Sequence, residues 1–250
     1  MKIALIGTGN MGDTVSSLAR KARHEIVVSI DESQRALVAA DLAEHLSGAE
    51  AAIDFSASAA VFRNVKACML ARIPLVEGTT GWVSQLEAVK ALISEHDGAF
   101  VFGANFSIGV NLFYRITEYA AELFARFPEY EAFIEEQHHS RKKDAPSGTA
   151  LKLAEVLAHA VNRDLDRVGV YARKGQIGER QPGEIGIQTI RAGDIVGDHT
   201  VIFGGMGERI EVTHRAQSRD TFVRGALRAA RWVVKQPPGL YDMIDVLGLR

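Results

Sequence analysis

The chain opens with Lys2-Ile-Ala-Leu-Ile-Gly7-Thr-Gly-Asn-Met-Gly12, an apolar run followed at once by a glycine-rich turn. A short apolar run of this kind is typical of a parallel strand buried on both faces. Apolar residues then keep helical spacing to about Ala22, and Glu25–Ile30 is predicted to be a second strand that ends at Asp31. The order strand, GxGxxG turn, helix, strand and acid favours a dinucleotide-binding unit over a generic turn between strand and helix.

Each glycine of this turn has its own expected role. Gly7 permits the tight turn, Gly9 lets the backbone approach a pyrophosphate, and Gly12 allows the helix to pack closely on the strand. The pyrophosphate would lie at the helix N-terminus, where unpaired N–H groups face an anion. The predicted cofactor-binding residues of the turn are Gly7, Thr8, Gly9, Asn10, Met11 and Gly12.

Asp31 and Arg35 bear on which dinucleotide is used. Asp31 lies 19 residues after Gly12, close to the spacing of an acid that binds the adenosine ribose. This acid favours NADH. Arg35 is the next cation and has two interpretations: it binds the 2′-phosphate of NADPH, or it is an ordinary solvated helix residue. The sequence leaves the choice between NADH and NADPH open.

Strands and helices continue to alternate up to about residue 107. Strands are predicted at 51–55, 74–77 and 99–102, and helices at 59–71 and 85–96. This alternation predicts a Rossmann-like, doubly wound parallel sheet, in which ligands bind at the carboxyl ends of the strands. Two small-residue turns fall at that edge, and each is either a cofactor contact or an ordinary turn: Gly78-Thr79-Thr80-Gly81 and Ala104-Asn105-Phe106-Ser107.

The pattern changes after residue 107. Helices are predicted at 111–124 and 149–161, a strand at 130–136, a polar loop at 173–184, and strands at 186–191, 195–203 and 209–216. Several short strands with glycine turns indicate an antiparallel or mixed sheet, so this part is expected to be α+β. The 111–124 helix carries one apolar stripe, formed by Leu112, Ile116, Tyr119, Ala120 and Leu123.

The domain boundaries follow from these patterns. A helix after Ser218 is expected to return to the first sheet, and 239–249 is expected to be an irregular tail. The prediction is a dinucleotide-binding domain of residues 1–107 plus 218–250, with a substrate-binding and oligomerisation domain, 108–217, inserted before the C-terminal helix.

The stretch Glu135-Glu-Gln-His138-His139-Ser-Arg-Lys142-Lys143-Asp144-Ala-Pro-Ser147-Gly148-Thr149 carries the chemistry expected of a reaction site. Imidazole moves protons near neutral pH, and a lysine donates a proton or holds an anion. The Ser-Gly-Thr turn presents N–H groups to a carboxylate or phosphate where the next helix begins. A plain reading, with solvated lysines and an ordinary helix start, is the less favoured alternative.

Composition excludes several classes of protein. The chain has 250 residues and a net charge of −2, which gives no sign of a nucleic-acid or anionic-membrane surface. The single cysteine, Cys68, rules out an intramolecular disulfide and a cysteine-clustered zinc site, and no metal site is predicted. The first strand begins at Lys2 and no apolar run reaches spanning length, so a cytoplasmic protein without a signal peptide is expected.

Several motifs together resemble one enzyme family. They are Glu135-x-x-His138-His139-x-x-Lys142-x-Asp144-Ala-Pro-Ser-Gly-Thr-Ala150, Gly78-Thr-Thr-Gly81, Ala104-Asn-Phe-Ser-x-Gly109, Arg191-x-Gly-Asp-Ile-Val-Gly197-x-His199-Thr-Val, Thr213-His-Arg and Gly239-Leu-Tyr-Asp-Met243. The whole chain resembles the 4-hydroxy-tetrahydrodipicolinate reductases, also called dihydrodipicolinate reductases. The resemblance implies NAD(P)H-dependent reduction of a cyclic dicarboxylate on the diaminopimelate route to lysine, by a homotetramer.

The resemblance also implies residue roles. His138 would donate or accept a proton at the active site, Lys142 would protonate the substrate after hydride transfer, and His139 would contact the substrate. Gly148 and Thr149 would hold a substrate carboxylate through their N–H groups. The nicotinamide side would be lined by Gly78, Thr79, Thr80, Ala104, Asn105 and Phe106.

This sequence departs from the commoner family pattern in two places. Its first turn is one residue shorter and has Asn10 where an Arg is usual before the Met-Gly pair, which leaves the cofactor preference open. Lys143 stands next to Lys142 and is an alternative carrier of its role. Two other functions also remain. One is another two-domain nicotinamide oxidoreductase acting on an amino-acid derivative, such as a semialdehyde dehydrogenase, whose acylating form needs a cysteine nucleophile. The other is a non-catalytic dinucleotide sensor.

Overall fold

The computed structural model describes residues 1–171, 173, 175 and 178–250. Residues 174, 176 and 177 of the expected polar loop 173–184 lie outside the described residues. The chain divides into two compact units, residues 1–108 with 219–250 and residues 109–218.

Helices and strands alternate through the first unit. In chain order the first unit begins with β1 (Lys2–Ile6), α1 (Asn10–Lys21), β2 (Glu25–Ile30), α2 (Ala39–His45), β3 (Ala51–Asp54), α3 (Val61–Leu70), β4 (Leu75–Glu77), α4 (Leu86–Glu95) and β5 (Ala99–Phe102). The middle of the chain contains α5 (Ile108–Phe124), β6 (Glu131–His138), α6 (Gly148–Ala160), α7 (Leu165–Val168), β7 (Gly169–Tyr171), β8 (Ile185–Arg191), β9 (Gly197–Gly205) and β10 (Glu208–Ala216). The first unit is completed by α8 (Asp220–Val233), β11 (Gly239–Tyr241) and α9 (Met243–Leu247).

The first unit is a six-stranded parallel sheet in the order β11-β5-β4-β3-β1-β2. Successive residues of β1 point to opposite faces: Ile3 and Leu5 join the core under α1 and α8, while Ala4 and Ile6 join the core under α2, α3 and α4. Because both faces are covered, the strands are apolar throughout, as the first run of the sequence indicated. The predicted doubly wound parallel sheet is confirmed.

The C-terminal segment is more ordered than the sequence indicated. The expected irregular tail 239–249 forms β11, which pairs with β5, and the short helix α9. Three residues are too few to show a periodic hydrophobic pattern. The strand β11 is therefore recognisable only from its pairing with β5. Helix α9 begins at a capping box formed by Asp242 and Asp245, a local signal present in the sequence. Helix α2 was not predicted either.

The second unit is a five-stranded mixed sheet in the order β10-β9-β6-β8-β7. β9 runs antiparallel to β6 and β10, while β8 runs parallel to β6 and β7. Helix α6 packs on one face through Ala150, Leu153, Ala154 and Leu157. Residues that alternate along each strand therefore face either α6 or the opposite side of the sheet.

The apolar stripe of α5 does not face the core of its own unit. Leu112, Ile116, Tyr119 and Leu123 are exposed in the second unit, whereas Phe113 and Ala121 are buried in its core. Helix α5 carries apolar residues on more than one face, so helical spacing alone could not show which face packs inward. Only Ala120 of the predicted stripe packs against the core.

Candidate active site

The three glycines of the first turn occupy three different environments. Gly7 has a φ of +92°, and a Cβ there would lie 2.3 Å from the carbonyl oxygen of Phe55. A Cβ on Gly12 would lie 2.1 Å from the carbonyl oxygen of Gly7, so α1 packs directly on the turn. A Cβ on Gly9 would meet no atom within 4 Å. The open space is at the N-terminus of α1, where a pyrophosphate fits.

A cavity of about 260 Å³ lies at the carboxyl edge of the first sheet. It brings the first turn together with the turn after β4, and its lining residues are Met11, Phe55, Ser56, Ser58, Gly78, Thr79 and Thr80. Gly78 allows the ring of Phe55 to lie against this turn, because a Cβ would lie 2.1 Å from that ring. The ring of Phe106, in the turn after β5, meets Phe55 edge to face with the ring centres 6.3 Å apart. The sequence did not single out Phe55, which shapes this edge.

Asp31 lies at the end of β2 with an exposed side chain. Its Oδ1 accepts a hydrogen bond from the backbone N–H of Ser33 at 2.7 Å. The side-chain hydroxyl of Ser33, and then this backbone N–H, lower the pKa of the carboxyl group. Arg35 forms an exposed ion pair with Glu32 at 3.1 Å. The short helical turn that follows Asp31 therefore orients its carboxylate. Thr8, in the turn after β1, and Asn10, the first residue of α1, are both exposed.

In the second unit the strand register assembles a polar cluster beneath α6. Glu136 is opposite His199 in the β6–β9 pair, and His138 is opposite Arg191 in the β6–β8 pair. Glu136 is fully buried, and its Oε2 lies 2.5 Å from Nδ1 of His138. Its Oε1 accepts from the guanidinium of Arg191 at 2.8 Å and from the backbone N–H of Ser147 at 3.1 Å. One carboxylate thus orients a histidine, an arginine and the start of a helix.

His199 and Ser147 extend this cluster to the N-terminus of α6. The side chain of Ser147 caps α6 by accepting from the N–H of Ala150 at 3.1 Å, and its Oγ lies 3.0 Å from Nε2 of His199. Gly148 is exposed, and a Cβ there would meet no atom within 4 Å. Thr149 is half-buried and its side chain is hydrogen-bonded to Tyr114. The first turn of α6 is therefore open to an anion at Gly148.

Lys142 lies in the turn between β6 and α6. Its Nζ donates to both carboxylate oxygens of Asp144 at 2.9 Å, and its side chain is 20% exposed. Lys143 is exposed and no ion pair of its side chain is found among the described residues. His139 is half-buried, and its backbone N–H donates to the carbonyl of Ile195. The pairing with Asp144 distinguishes Lys142 from its neighbour.

The pKa values of Glu136 and His199 are both lowered, so the acid is ionised and the imidazole is neutral at pH 7. Burial by itself raises the pKa of Glu136, but the donors His138, Arg191 and Ser147 outweigh it and hold this pKa at about 2. Burial, and then the positive field of His138, lowers the pKa of His199 to about 3. At neutral pH the cluster therefore contains a carboxylate, a guanidinium and an uncharged His199.

Glu136, His138 and His199 are the group among the described residues whose ligand atoms approach closely enough for a metal, within 4.8 Å of one another. Both oxygens of Glu136 are already in contact with protein donors, and Arg191 supplies its counter-charge. A dication would have to displace the contact with His138 and lie beside a guanidinium, so the arrangement suits proton handling better than metal binding.

The sequence assigned no role to the side chains of Glu136, Ser147, Arg191 or His199, although Ser147 belongs to the predicted anion turn and the motifs of the resemblance contain Arg191 and His199. A signal existed for Glu136, because residues two apart on a strand share a face and His138 is two residues on. Arg191 and His199 come from β8 and β9, so their place in the cluster depends on long-range pairing. Cys68 is fully buried and burial raises the pKa of its thiol, which makes it unsuited to be the nucleophile of an acylating dehydrogenase.

Within the described part of the chain, no helix has both the length and the apolar composition of a membrane span.

The predicted site residues fall in two groups, the dinucleotide residues in the first unit and the His-His-Lys stretch in the second. Within the first unit the structure brings Met11, Gly78, Thr79 and Thr80 to one cavity, while Asp31 lies at the end of the edge strand β2. Within the second unit it brings His138 to the start of α6 through Glu136 and Ser147.

Comparison with known proteins gives a consistent result. Two family profiles, described as dihydrodipicolinate reductase N-terminus and C-terminus, match residues 1–106 and 109–247. The 4-hydroxy-tetrahydrodipicolinate reductase of Geobacter metallireducens is 42% identical over 98% of this chain and 94% of its own length. The enzyme of the same name from Halorhodospira halophila is 51% identical over 84% of this chain and 77% of its own length.

A solved structure shares the fold. The dihydrodipicolinate reductase of Paenisporosarcina sp. TG-14, solved with dipicolinate bound, superimposes with a TM-score of 0.71 at 22% identity, covering 98% of both chains. Since both family profiles match and relatives align over nearly the full length, this chain belongs to the dihydrodipicolinate reductase family.

Proposed function

We propose that this chain is a 4-hydroxy-tetrahydrodipicolinate reductase that uses NADH or NADPH in lysine and diaminopimelate biosynthesis. Relatives that bear this enzyme name align over almost all of the chain. The observation that carries the proposal is the buried Glu136–His138–Arg191 cluster next to the open N-terminus of α6. A dicarboxylate substrate needs anion-binding groups beside a proton donor, and this cluster offers both.

The overall reaction balances with one water released. The substrate takes up a hydride and a proton and loses its hydroxyl group as water, giving tetrahydrodipicolinate and the oxidised dinucleotide. The dinucleotide, when bound, supplies the hydride. The proton must come from the protein or from water. Supplying this proton is the proposed task of side chains in the second unit.

Lys142 is the proposed proton donor, with His138 as the second acid–base group. The Nζ of Lys142 donates to both carboxylate oxygens of Asp144, and its side chain is only partly exposed. Glu136 lies next to Nδ1 of His138 and favours a proton on that nitrogen, which leaves Nε2 to exchange protons at the site. His139, Gly148 and Thr149 are the proposed substrate contacts, with the N–H groups at the start of α6 receiving a carboxylate.

The residues of the first unit fit a dinucleotide. The proposed contacts are the turn Gly7–Gly12, Asp31 on the adenosine ribose, and the turns 78–80 and 104–106 on the nicotinamide side. What supports this set is the space at Gly9 and the cavity lined by Met11, Gly78, Thr79 and Thr80. Whether NADH or NADPH binds more tightly is decided by direct titration with each.

We also infer a cytoplasmic homotetramer that binds neither nucleic acid nor membranes. The net charge of −2 supports the last part. On the side of the second sheet opposite α6, Glu135 is exposed and Ile190 is 37% exposed, whereas Ile202 is buried. A second copy packing on this side would cover Ile190, and light scattering after size-exclusion chromatography measures the number of copies.

The proposed activity is tested by mixing the protein with a reduced dinucleotide and the fresh condensation product of pyruvate and aspartate semialdehyde. Loss of reduced-nicotinamide absorbance that requires protein, dinucleotide and condensation product together supports the reductase. Dinucleotide binding without turnover of this substrate would contradict it and favour a sensor. Omitting the aspartate semialdehyde gives the matched control.

A further inference from the structure

Two buried acids in the first unit take no part in the chemistry described so far. Asp54 is the last residue of β3 and Glu77 is the last residue of β4. They are direct partners in the parallel pairing of these neighbouring strands, so both side chains leave the sheet on the same face. Both residues are completely buried. Two carboxyl groups side by side in a dry interior cannot both be ionised at low cost.

Apart from Glu77, the described groups that hydrogen-bond to the carboxylate of Asp54 are donors. Oδ1 accepts from the backbone N–H of Ser56 at 2.8 Å, and the hydroxyl of Thr79 is 3.5 Å away. Oδ2 accepts from the side-chain amide of Asn64 at 2.7 Å, and the guanidinium of Arg63 donates to the oxygen of that same amide. Asp54 is thus surrounded as an ionised carboxylate would be, with a cation one hydrogen bond away.

Glu77 has a different environment. Its Oε1 accepts from the backbone N–H of Thr79 at 2.7 Å, but its Oε2 faces no other donor. No cationic side chain pairs with either acid in the described part of the chain, and the buried thiol of Cys68 is the other titratable group beside them. The free oxygen of Glu77 is satisfied if it carries a proton and donates it to Asp54.

We propose that Asp54 and Glu77 share a single proton, which resides on Glu77, and that the pair positions the turns that bind the nicotinamide dinucleotide. The pair fixes the N–H groups of Ser56 and Thr79, and both of these residues line the 260 Å³ cavity. The hydroxyl of Thr79 also accepts from the N–H of Ser56 at 3.1 Å, which joins the two turns to each other. The positioning role rests on the proposed function, whereas the shared proton does not.

The two acids should respond in opposite ways to the same amide substitution. In Glu77→Gln the amide oxygen still accepts from Thr79 and the amide N–H replaces the acid proton toward Asp54, so NADH affinity should stay within about threefold of wild type. Asp54→Asn places an NH2 group against either Ser56 N–H or the Asn64 amide, both of which are donors. This variant, and Glu77→Met, should weaken NADH binding about tenfold or more and raise the KM for NADH more than they lower kcat.

The experiment combines infrared difference spectroscopy at pH 7 with NADH titration on the full-length wild-type protein and these variants. A protonated-carboxyl carbonyl band should be present in the wild type, absent in Glu77→Gln and unchanged in the exposed control Glu95→Gln. Circular dichroism identifies any variant that fails to fold. If Asp54→Asn or Glu77→Met fails to fold, the carbonyl band of the wild type and the results for Glu77→Gln still test the inference.

Three results would overturn the inference. They are a wild type with no such band, a Glu77→Gln variant that binds NADH as poorly as Glu77→Met, and an Asp54→Asn variant that binds as tightly as wild type. A wild-type protein that shows the band but binds neither NADH nor NADPH would instead overturn the proposed function and with it the positioning role.

Discussion

A guanidinium nitrogen of Arg191 lies 2.8 Å from Oε1 of Glu136, a carboxylate with no exposed surface. The side chain of Arg191 is 18% exposed and keeps some contact with water, whereas Glu136 depends entirely on protein donors. The same guanidinium nitrogen also donates to the carbonyl of Asp144 at 2.7 Å. Arg191 therefore ties the turn that carries Lys142 to the strand that carries His138.

Replacing Glu136 with Gln should reduce both stability and turnover. The amide removes the charge that Arg191 and His138 face and leaves donors without an ionised acceptor, which typically costs about 1–3 kcal/mol. Urea unfolding measures the stability change, and kcat should fall because His138 loses the group that orients its ring. Glu135→Gln, on the same strand but exposed, is the matched control and should change stability by less than about 0.5 kcal/mol. Equal effects of the two variants would show that Glu136 has no special role.

Stability should fall as pH is lowered from 7 to 5, in part because of His199. Burial, and then the field of His138, lowers the pKa of His199 from 6.5 to about 3. Between these values the unfolded chain binds a proton that the folded protein does not. His199 therefore contributes full stability above pH 6.5 and loses it toward pH 3, with a slope of up to about 1.4 kcal/mol per pH unit.

The measurement is the free energy of unfolding from pH 7 to 5 in the wild type and in His199→Asn. The variant should have a shallower slope over this range, whatever its absolute stability. His159→Asn, at an exposed position on α6, should retain the wild-type slope. Glu136, with its pKa held at about 2, adds its own loss only below about pH 4.5, so it does not affect this window. Parallel slopes in all three proteins would contradict the assignment of His199 as a buried neutral imidazole.

Features of the fold that depend only on residues near one another in the chain could be predicted from the sequence. The first turn is an example, because the φ of Gly7 and the contact of Gly12 with Gly7 are settled within a few residues. The Glu136 cluster could not be predicted in full, since His199 and Arg191 reach it only through the register of β9 and β8 with β6. The sequence identified the apolar stripe of α5 but not its exposure, and it missed the strand β11. Both features depend on which distant residues pack against them.

Lys142→Ala should lower kcat by about 10²–10⁴-fold, the usual range for the loss of one general acid. Lys142 donates to Asp144 and is held in the turn before α6, whereas Lys143 is exposed. Lys143→Ala is therefore the matched control and should retain kcat within about threefold. If Lys142→Ala raised KM for the substrate and left kcat unchanged, Lys142 would be a binding residue only. A large loss of kcat in Lys143→Ala would transfer the role to that lysine.

Gly9→Ala and Gly12→Ala should separate cofactor binding from folding. A methyl group on Gly12 would lie 2.1 Å from the carbonyl oxygen of Gly7, a backbone atom that cannot rotate away. Gly12→Ala should therefore lose about 1–3 kcal/mol of stability or more, as overpacked sites do. A methyl group on Gly9 meets open space in the protein but occupies the room expected for the pyrophosphate. Gly9→Ala should unfold within a few degrees of wild type without ligand, yet bind NADH at least about tenfold more weakly. Thermal unfolding and fluorescence titration check the two effects separately, and a Gly9→Ala variant with wild-type affinity would place the pyrophosphate elsewhere than at the start of α1.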